Sequence, residues 1–558
     1  MAHDKDRYDK RLAALKNRRS SYDGHWRELG ENILPRRMRF DRSTNRGSKK
    51  SSKIINNTAT RAARILASGL MAGLTSPSRP WFRLAAPSPE LTQAPGVRQY
   101  LGEVERIIRE VFARTNIYNA LHSVYGDEAV FNTSSMFIEQ DSKEILRAVV
   151  FPIGSYYLTA DDFGRVNGIY RETSMTVAQL VRRFGEDKVS PQVKALFDNG
   201  ELDVDVDLVH LIEPNDDREN DAFGMPWRSV WYEQGTHGRE ETDGLLRVGG
   251  FEEFPTMCPR WQVSGEEVYG SGPGMEALGD IKMLQKMELR GAQAMDKIVM
   301  PPMTGPPGIA AEGNPSILSG AMTVVPATAA GQKFEPAHTV DPKVLQLQEK
   351  QDRVEMRINS TFYADLFLMF AQIRSGQMTA REVDERHEEK VLQLGPAIER
   401  LEDELLDPLI DRTFAILNRF GMLPPAPPEL QGVDLRVEYI SVLAQAQKLI
   451  EVLGVERFAS YIMQYAEAQP EVLDKFNFDE SADQMGELLG VKPSLIRSND
   501  EAKQIREKRA EAQQAQMQAE QAKAARDGAA AVKDLSQTPV GEPDTALQQM
   551  IDAAGGPA

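Results

Sequence analysis

Two adjacent carboxylates, Asp161 and Asp162, stand in the run Leu158-Thr159-Ala160-Asp161-Asp162-Phe163-Gly164. Paired acids can hold a divalent metal for phosphodiester hydrolysis. An Asp before Phe-Gly at the end of an apolar run also suits a tight turn, and the turn is the better reading. His387-Glu388-Glu389 has no second histidine at the metalloprotease spacing and reads as a solvated helix face. Gly270-Ser271-Gly272-Pro273-Gly274 precedes a helical pattern, where backbone N–H groups can hold phosphate. Its spacing departs from the dinucleotide fingerprint, and no Gly-Lys-Ser/Thr follows. Gly308 to Gly313 has the glycine spacing of a nucleotide loop, but Asn314-Pro315 replaces the lysine and the hydroxyl. The 7 histidines are scattered and support no triad, and no serine-nucleophile motif is seen. The single cysteine, Cys258, excludes an internal disulfide and paired-cysteine zinc sites. It reads as a small buried apolar residue in a chain used in a reducing compartment. The sequence does not look catalytic, and no cofactor or metal is expected.

The elements that would carry these residues fall into blocks. Residues 4–34 have Leu12, Leu15, Trp26, Leu29 and Ile33 at helical spacing. A polar loop from Pro35 to Lys53 leads to a helix from Ala59 to Gly73, which Ser76-Pro77-Ser78-Arg79-Pro80 ends. A short strand at 81–84 and helices at 96–115 and 117–131 come next. Alternation then predicts strands at 135–139, 147–151, 156–159, 169–172, 206–212, 229–233 and 245–248, with a short helix from Val177 to Phe184 among them. A helix from about Met275 to Met300 and another from about Asp341 to Phe370 flank a Pro/Gly-rich interval, 301–340, with a strand at 321–325. Thr379 with Glu382 fits a capping box for a helix reaching Phe420, which Pro396 and Pro408 should kink. A strand at 435–440 and helices at 441–466, 480–489 and 499–534 follow, and the Gly/Pro/Ala-rich stretch 535–558 reads as disordered. The fold class is α+β and mainly helical.

Charge is uneven. The chain of 558 residues has a formal net charge of −17, yet residues 1–53 hold 16 Lys and Arg against 7 Asp and Glu. The basic stretch suits nucleic acid, an acidic neighbouring subunit or simply solvent. Strongly acidic bulk makes a poor tight binder of DNA, because duplex affinity comes mostly from neutralised phosphates. Such a protein should let DNA pass rather than hold it. The charged N-terminus does not read as a signal peptide, and the apolar stretches 65–74 and 362–373 are too short to span a bilayer.

Several stretches resemble the portal, or head-to-tail connector, proteins of short-tailed tailed bacteriophages. They are Gly69-Leu70-Met71-Ala72-Gly73-Leu74-Thr75-Ser76-Pro77-Ser78-Arg79-Pro80-Trp81-Phe82 and Asn116-Ile117-Tyr118-Asn119-Ala120-Leu121-His122 with Val130-Phe131-Asn132-Thr133-Ser134. Tyr269 to Met275 with Asp280-Ile281-Lys282, and Met378 to Val383 with Leu394-Gly395-Pro396, complete the set. The chain departs from the family pattern at Asn132, where glycine is usual. The resemblance covers about residues 5–510.

It implies a ring, usually of twelve copies, at one capsid vertex, built from wing, stem, clip and crown. Residues 1–268 would be N-terminal helices and a strand-rich wing, and 269–300 and 341–365 the stem. Residues 301–340 would be the clip, 366–378 a tunnel loop, and 379–440 a long kinked wing helix and strand. Residues 441–500 would form the crown and 501–534 a C-terminal helix or barrel. Small residues Gly291, Ala292 and Ala294 would let neighbouring stem helices approach. Gln372, Arg374, Ser375 and Gln377 in the tunnel loop, with Lys333 and Lys343, are the candidates to meet DNA, although for any one of the cations a surface or intersubunit salt bridge is the better reading. The implied partners are double-stranded DNA, terminase, tail adaptor, scaffold, internal core and major capsid proteins, with no membrane. The location would be the virion's portal vertex, and the host cytoplasm during assembly. Two other classes stay open. A metal-dependent nuclease would cut DNA in magnesium and lose this with Asp161 and Asp162. A coiled-coil scaffold without a channel would need long heptads, which Pro396, Pro408 and the prolines of 424–428 interrupt.

Overall fold

The computed structural model describes residues 4–40, 51–141, 143–216, 218, 224–235, 245–300, 303–304, 335–336, 344–373, 393–430, 432, 435–441, 458–465, 469, 471, 476–481 and 499–536. They fall in two compact units, Met1–Gln447 and Lys448–Ala558.

In the first unit, α1 (Asp4–Asn32) serves two cores with its two halves. Tyr8, Leu12 and Leu15 pack with Tyr157, Tyr170, Val209 and Tyr232, whereas Trp26 and Leu29, with Ile33 just beyond the helix, enter the main helical core. Helix α2 (Thr58–Leu74) buries a stripe of Ala59, Ala62, Ala63, Leu66, Ala67 and Leu70, spaced at three and four residues as one helix face requires. Strand β1 (Phe82–Ala85) and helices α3 (Pro89–Gln93), α4 (Pro95–Arg114) and α5 (Ile117–Phe131) follow.

Strands β2 (Met136–Asp141) and β3 (Ile145–Val150) form a hairpin, and β4 (Tyr156–Ala160) and β5 (Val166–Thr176) begin a second sheet. Helices α6 (Val177–Phe184) and α7 (Pro191–Asp198) interrupt it before β6 (Asp205–Pro214), β7 (Trp227–Glu233) and β8 (Leu245–Phe251). The sheet is antiparallel in the order β4-β5-β6-β7-β8. The period of two explains its layers: Val209 and Leu211 face α1, whereas Leu208, Trp231 and Leu246 pack with Val177, Leu180 and Val193 of α6 and α7. Strand β9 (Thr256–Met257) joins β2 on the side away from β3.

Helix α8 (Pro273–Val299) is 27 residues, about 40 Å long at 1.5 Å per residue. The pair β10 (Met303–Thr304) and β11 (Glu335–Pro336) is antiparallel. The expected strand at 321–325 lies outside the described residues. The helix predicted to run from 341 to 370 is two helices, α9 (Val344–Thr361) and α10 (Ala364–Ile373). The break falls at Tyr363, whose φ of 52° is left-handed, a conformation a continuing helix does not allow.

The expected kink at Pro408 takes another form. The helix at 393–401 passes through a π turn, Glu402–Leu406, into α11 (Asp407–Arg419). The Asp407 N–H bonds to the Glu402 carbonyl five residues back, widening the turn where Pro408 has no N–H and its ring opposes a carbonyl. Strand β12 (Arg436–Tyr439) pairs antiparallel with β1 across more than 350 residues of sequence. In the second unit, α12 (Asn499–Ser536) is exposed over most of its described length, with Ala502 and Ile505 half-buried and Arg506 paired to Asp479.

Candidate functional site

Two of the four quoted stretches, 130–134 and 269–275, meet at the head of α8. Tyr269 stacks its edge on Trp26 (ring centroids 5.1 Å apart) and also contacts Tyr22 at 5.2 Å. The Trp26 indole N–H donates to the Phe131 carbonyl at 3.1 Å. The Tyr269 hydroxyl accepts from the Leu158 N–H at 3.1 Å, which ties β4 to the same point. Gly270 donates its N–H to the Thr133 hydroxyl at 2.8 Å.

The glycines here are sites of close backbone approach, not a phosphate loop. A Cβ on Gly270 would lie 2.2 Å from the Asn132 carbonyl oxygen, and one on Gly274 would lie 2.0 Å from that of Val130. Both contacts are to backbone, so no side-chain rotation relieves them. Asn132 ends α5 at a φ of 59°, where glycine is the easier residue. Gly69 plays the same part on α2: a Cβ there would overlap the Phe367 ring of α10 at 2.2 Å. Thr75 and Tyr125 share a buried hydroxyl hydrogen bond of 3.0 Å. Trp81 lies near-parallel to Phe112 and to Tyr439, which follows from the β1–β12 pairing.

The third stretch continues along α8. Asp280 accepts from Arg357 of α9 at 2.8 Å, Lys282 pairs with Glu28 of α1 at 2.9 Å, and Ile281 between them is fully buried. One turn further, Gln285 accepts the N–H groups of Ile55 and Asn56, and the Asn56 amide donates to Glu288 and Glu355. The start of α2 therefore clasps both long helices. The fourth stretch lies mostly outside the described residues; its Leu394 is buried in the main core.

Buried charges hold this junction. Arg260, 3% exposed, donates from two nitrogens to Glu404 of the π turn, which also accepts from Arg400. Arg37 reaches both oxygens of Asp127, from Nε at 2.8 Å. Burial pushes the Asp127 carboxyl up to about 6 in spite of the Arg37 charge. Burial likewise raises Glu128 well above the usual carboxylate range; Glu404 and Asp127 add to this, and the Ser134 hydroxyl opposes it. Arg412 is buried too, and bonds to the Ile138 carbonyl and to Glu253, fixing α11 to β2. Sequence reading found none of these contacts of Arg37, Arg260 and Arg412, because their partners stand from 90 to 274 residues away and carry no local pattern.

The other sequence candidates are placed as follows. Asp161 caps a tight turn, its Oδ1 accepting from the Phe163 and Arg165 N–H groups at 3.0 and 2.8 Å. Among the described residues no group of three His, Cys, Asp or Glu side chains is placed to hold a metal ion. Cys258 is buried, and burial pushes its thiol up to about 12. Gly291 lies on α8 against α9 of its own chain, 3.3 Å from Leu347 at its Cβ position. Ala292 is exposed and Ala294 half-buried. Gln372 is in the last turn of α10. Arg374, Ser375, Gln377, Lys333 and Lys343 lie outside the described residues, as does His387. No described helix is long and apolar enough to cross a membrane.

Comparison with known proteins gives this junction its context. The family described as bacteriophage head to tail connecting protein matches residues 5–496. The portal protein of Salmonella phage epsilon15 is 42% identical over 559 residues, covering 99% of each chain. A probable portal protein of Bordetella phage BPP-1 is 44% identical over 513 residues, covering 91% of this chain and 92% of its own. A match over nearly the whole length takes in every stretch that meets around Tyr269 and Gly274, and the chain belongs to the bacteriophage head to tail connecting protein family.

Proposed function

We propose that copies of this chain close into a ring, of twelve subunits as is usual in the family, that forms the DNA channel at one capsid vertex. The ring serves genome packaging, head–tail joining and DNA ejection. The role is structural rather than catalytic. The observation that carries the reading is the 42% identity to a phage portal protein across 99% of both chains.

The described structure supports a division of labour. The sheet β4–β8 with its covering helices forms the wing, and the long helices α8 and α9 form the stem. Residues 301–340 form the clip, 366–378 the tunnel loop, whose first residues up to Ile373 belong to α10, and 441–500 the crown. A heterologous contact repeated with closure makes a ring. The stem helices expose Met283, Leu289, Met295, Val299 and Met356, which suits neighbours packing there beside Ala292 and Ala294. Twelve copies at −17 give a formal charge of −204. Acidic groups along the bore repel phosphates, so DNA slides without sticking, while Lys333, Lys343 and Arg374 make local contacts. Terminase, tail adaptor, scaffold, core and major capsid proteins meet the ring at its ends and wing. The protein resides at the virion's portal vertex and, before that, in the host cytoplasm.

The test is genetic. Phage heads assembled without this chain should carry neither packaged DNA nor tails, and supplying it during assembly should restore both. Heads that fill and join tails in its absence would overturn the reading.

A further inference from the structure

The turn between β4 and β5 presents one large apolar side chain to solvent. Phe163 is 85% exposed, more than any other large hydrophobic described. The turn beneath it is rigid: Asp161 accepts the N–H groups of residues 163 and 165 and donates its own N–H to the Arg165 carbonyl at 2.9 Å. Gly164, at a φ of 78°, offers its carbonyl to buried Arg260 at 2.9 Å. Asp162 beside Phe163 makes no ion pair among the described residues. The turn is thus a fixed aromatic knob with a free carboxylate. A side chain held this way loses little conformational freedom on docking, which is the property of an interface anchor.

The same unit carries a matching hollow. A cavity of about 460 Å³ is lined by Phe137, Arg183, His210, Trp231, Arg247 and Phe251. A cavity of about 150 Å³ already admits benzene, so a benzyl group enters with room for its flanks. The floor is aromatic: His210 stacks on Trp231 at 4.0 Å and meets the Phe137 ring edge-on. Burial, with Arg171, Arg183 and Arg247 nearby, drives the His210 pKa well below its usual value, so the imidazole is neutral. The guanidiniums carry the charge. Arg183 leans over Trp231 at 4.9 Å and pairs at 3.4 Å with Glu139, whereas Arg247 has no carboxylate within 4 Å among the described residues.

The knob sits on the turn that joins β4 and β5, at the ends of these strands, while the hollow lies over β6, β7 and β8 toward the opposite edge of the sheet. Two complementary features at different places on one chain give a head-to-tail contact rather than a two-fold one. We propose that the Asp162-Phe163 knob of one copy docks in the Trp231–Arg247 hollow of the next copy, with Asp162 facing Arg247. The contact rests on the ring reading and adds a second subunit contact, in the wing, to the packing of the stem. Burying a phenylalanine is worth about 10- to 100-fold in association.

Full-length protein tests this. Phe163→Ser should weaken self-association by about 10- to 100-fold, measured by sedimentation across a concentration series, with the unfolding midpoint unchanged. Asp162→Arg and Arg247→Asp should each weaken association, and the two together should restore it. Phe163→Ser associating like the parent, or a double reversal no better than either single change, would overturn the contact. Parent protein that forms no ring under any assembly condition would overturn the ring reading instead, so the two failures are distinct.

Discussion

Two glycines five residues apart on α8 should respond to alanine with opposite signs. At Gly274 the new Cβ lands 2.0 Å from the Val130 carbonyl oxygen and 2.7 Å from its carbon. Ordinary contact begins near 3.4 Å, so the head of α8 must retreat from α5 by more than about 1 Å. Overpacking of this kind costs about 1–3 kcal/mol, and a backbone wall places Gly274→Ala at the upper end. At Gly279 nothing lies within 4 Å, and the position is exposed. Alanine there gains about 0.5–1 kcal/mol of helix propensity. The assay is urea unfolding followed by tryptophan fluorescence. All 5 tryptophans fall within Met1–Gln447, so the signal reports the unit that contains α8. Gly274→Ala should lower the midpoint and Gly279→Ala should raise it slightly. Equal midpoints for Gly274→Ala and parent, or a loss of equal size at Gly279, would refute the close-approach account of the junction.

Three further outcomes follow from the buried charges and the thiol. Glu404→Leu strands Arg260, 3% exposed, and should cost about 3–5 kcal/mol; adding Arg260→Met should recover most of it, and an additive double variant contradicts the pairing. Glu128 has a native pKa raised above its unfolded one, so it favours folding at low pH and that contribution is lost as pH rises through the raised value. Glu128→Gln should therefore flatten the fall in unfolding midpoint as pH rises above the usual carboxylate range, and an unchanged slope contradicts this. Cys258, with its thiol at about 12, should resist alkylation at pH 8 in folded protein and react once unfolded in urea; rapid labelling of the native chain argues against its burial.

What could be read from sequence was what local rules govern. Alternation located β4 to β8 because one period of two separates their faces, and the Thr176–Gln179 capping box marks α6. Helix α7 was missed: its eight residues are too few for periodicity to show, although Ser190-Pro191 marks its start. The break at Tyr363 carries no glycine or proline to announce it, so the predicted helix ran through. Pro408 announced a disturbance, but only the carbonyl pairing of Asp407 with Glu402 shows that a π turn absorbs it. The motif glycines were visible as a pattern, and their reason was not. It lies in the Val130 and Asn132 carbonyls, which reach Gly274 and Gly270 only in the folded chain. The Arg260–Glu404 pair and the Trp231–Arg247 hollow join residues from separate elements, and no window of sequence holds both sides.

End-on electron micrographs of the assembled protein address the central claim most directly. A closed ring with about twelve repeats and a central opening wide enough for duplex DNA is the expected image. Isolated compact particles of one 62.3 kDa chain, persisting even with capsid partners present, would contradict it.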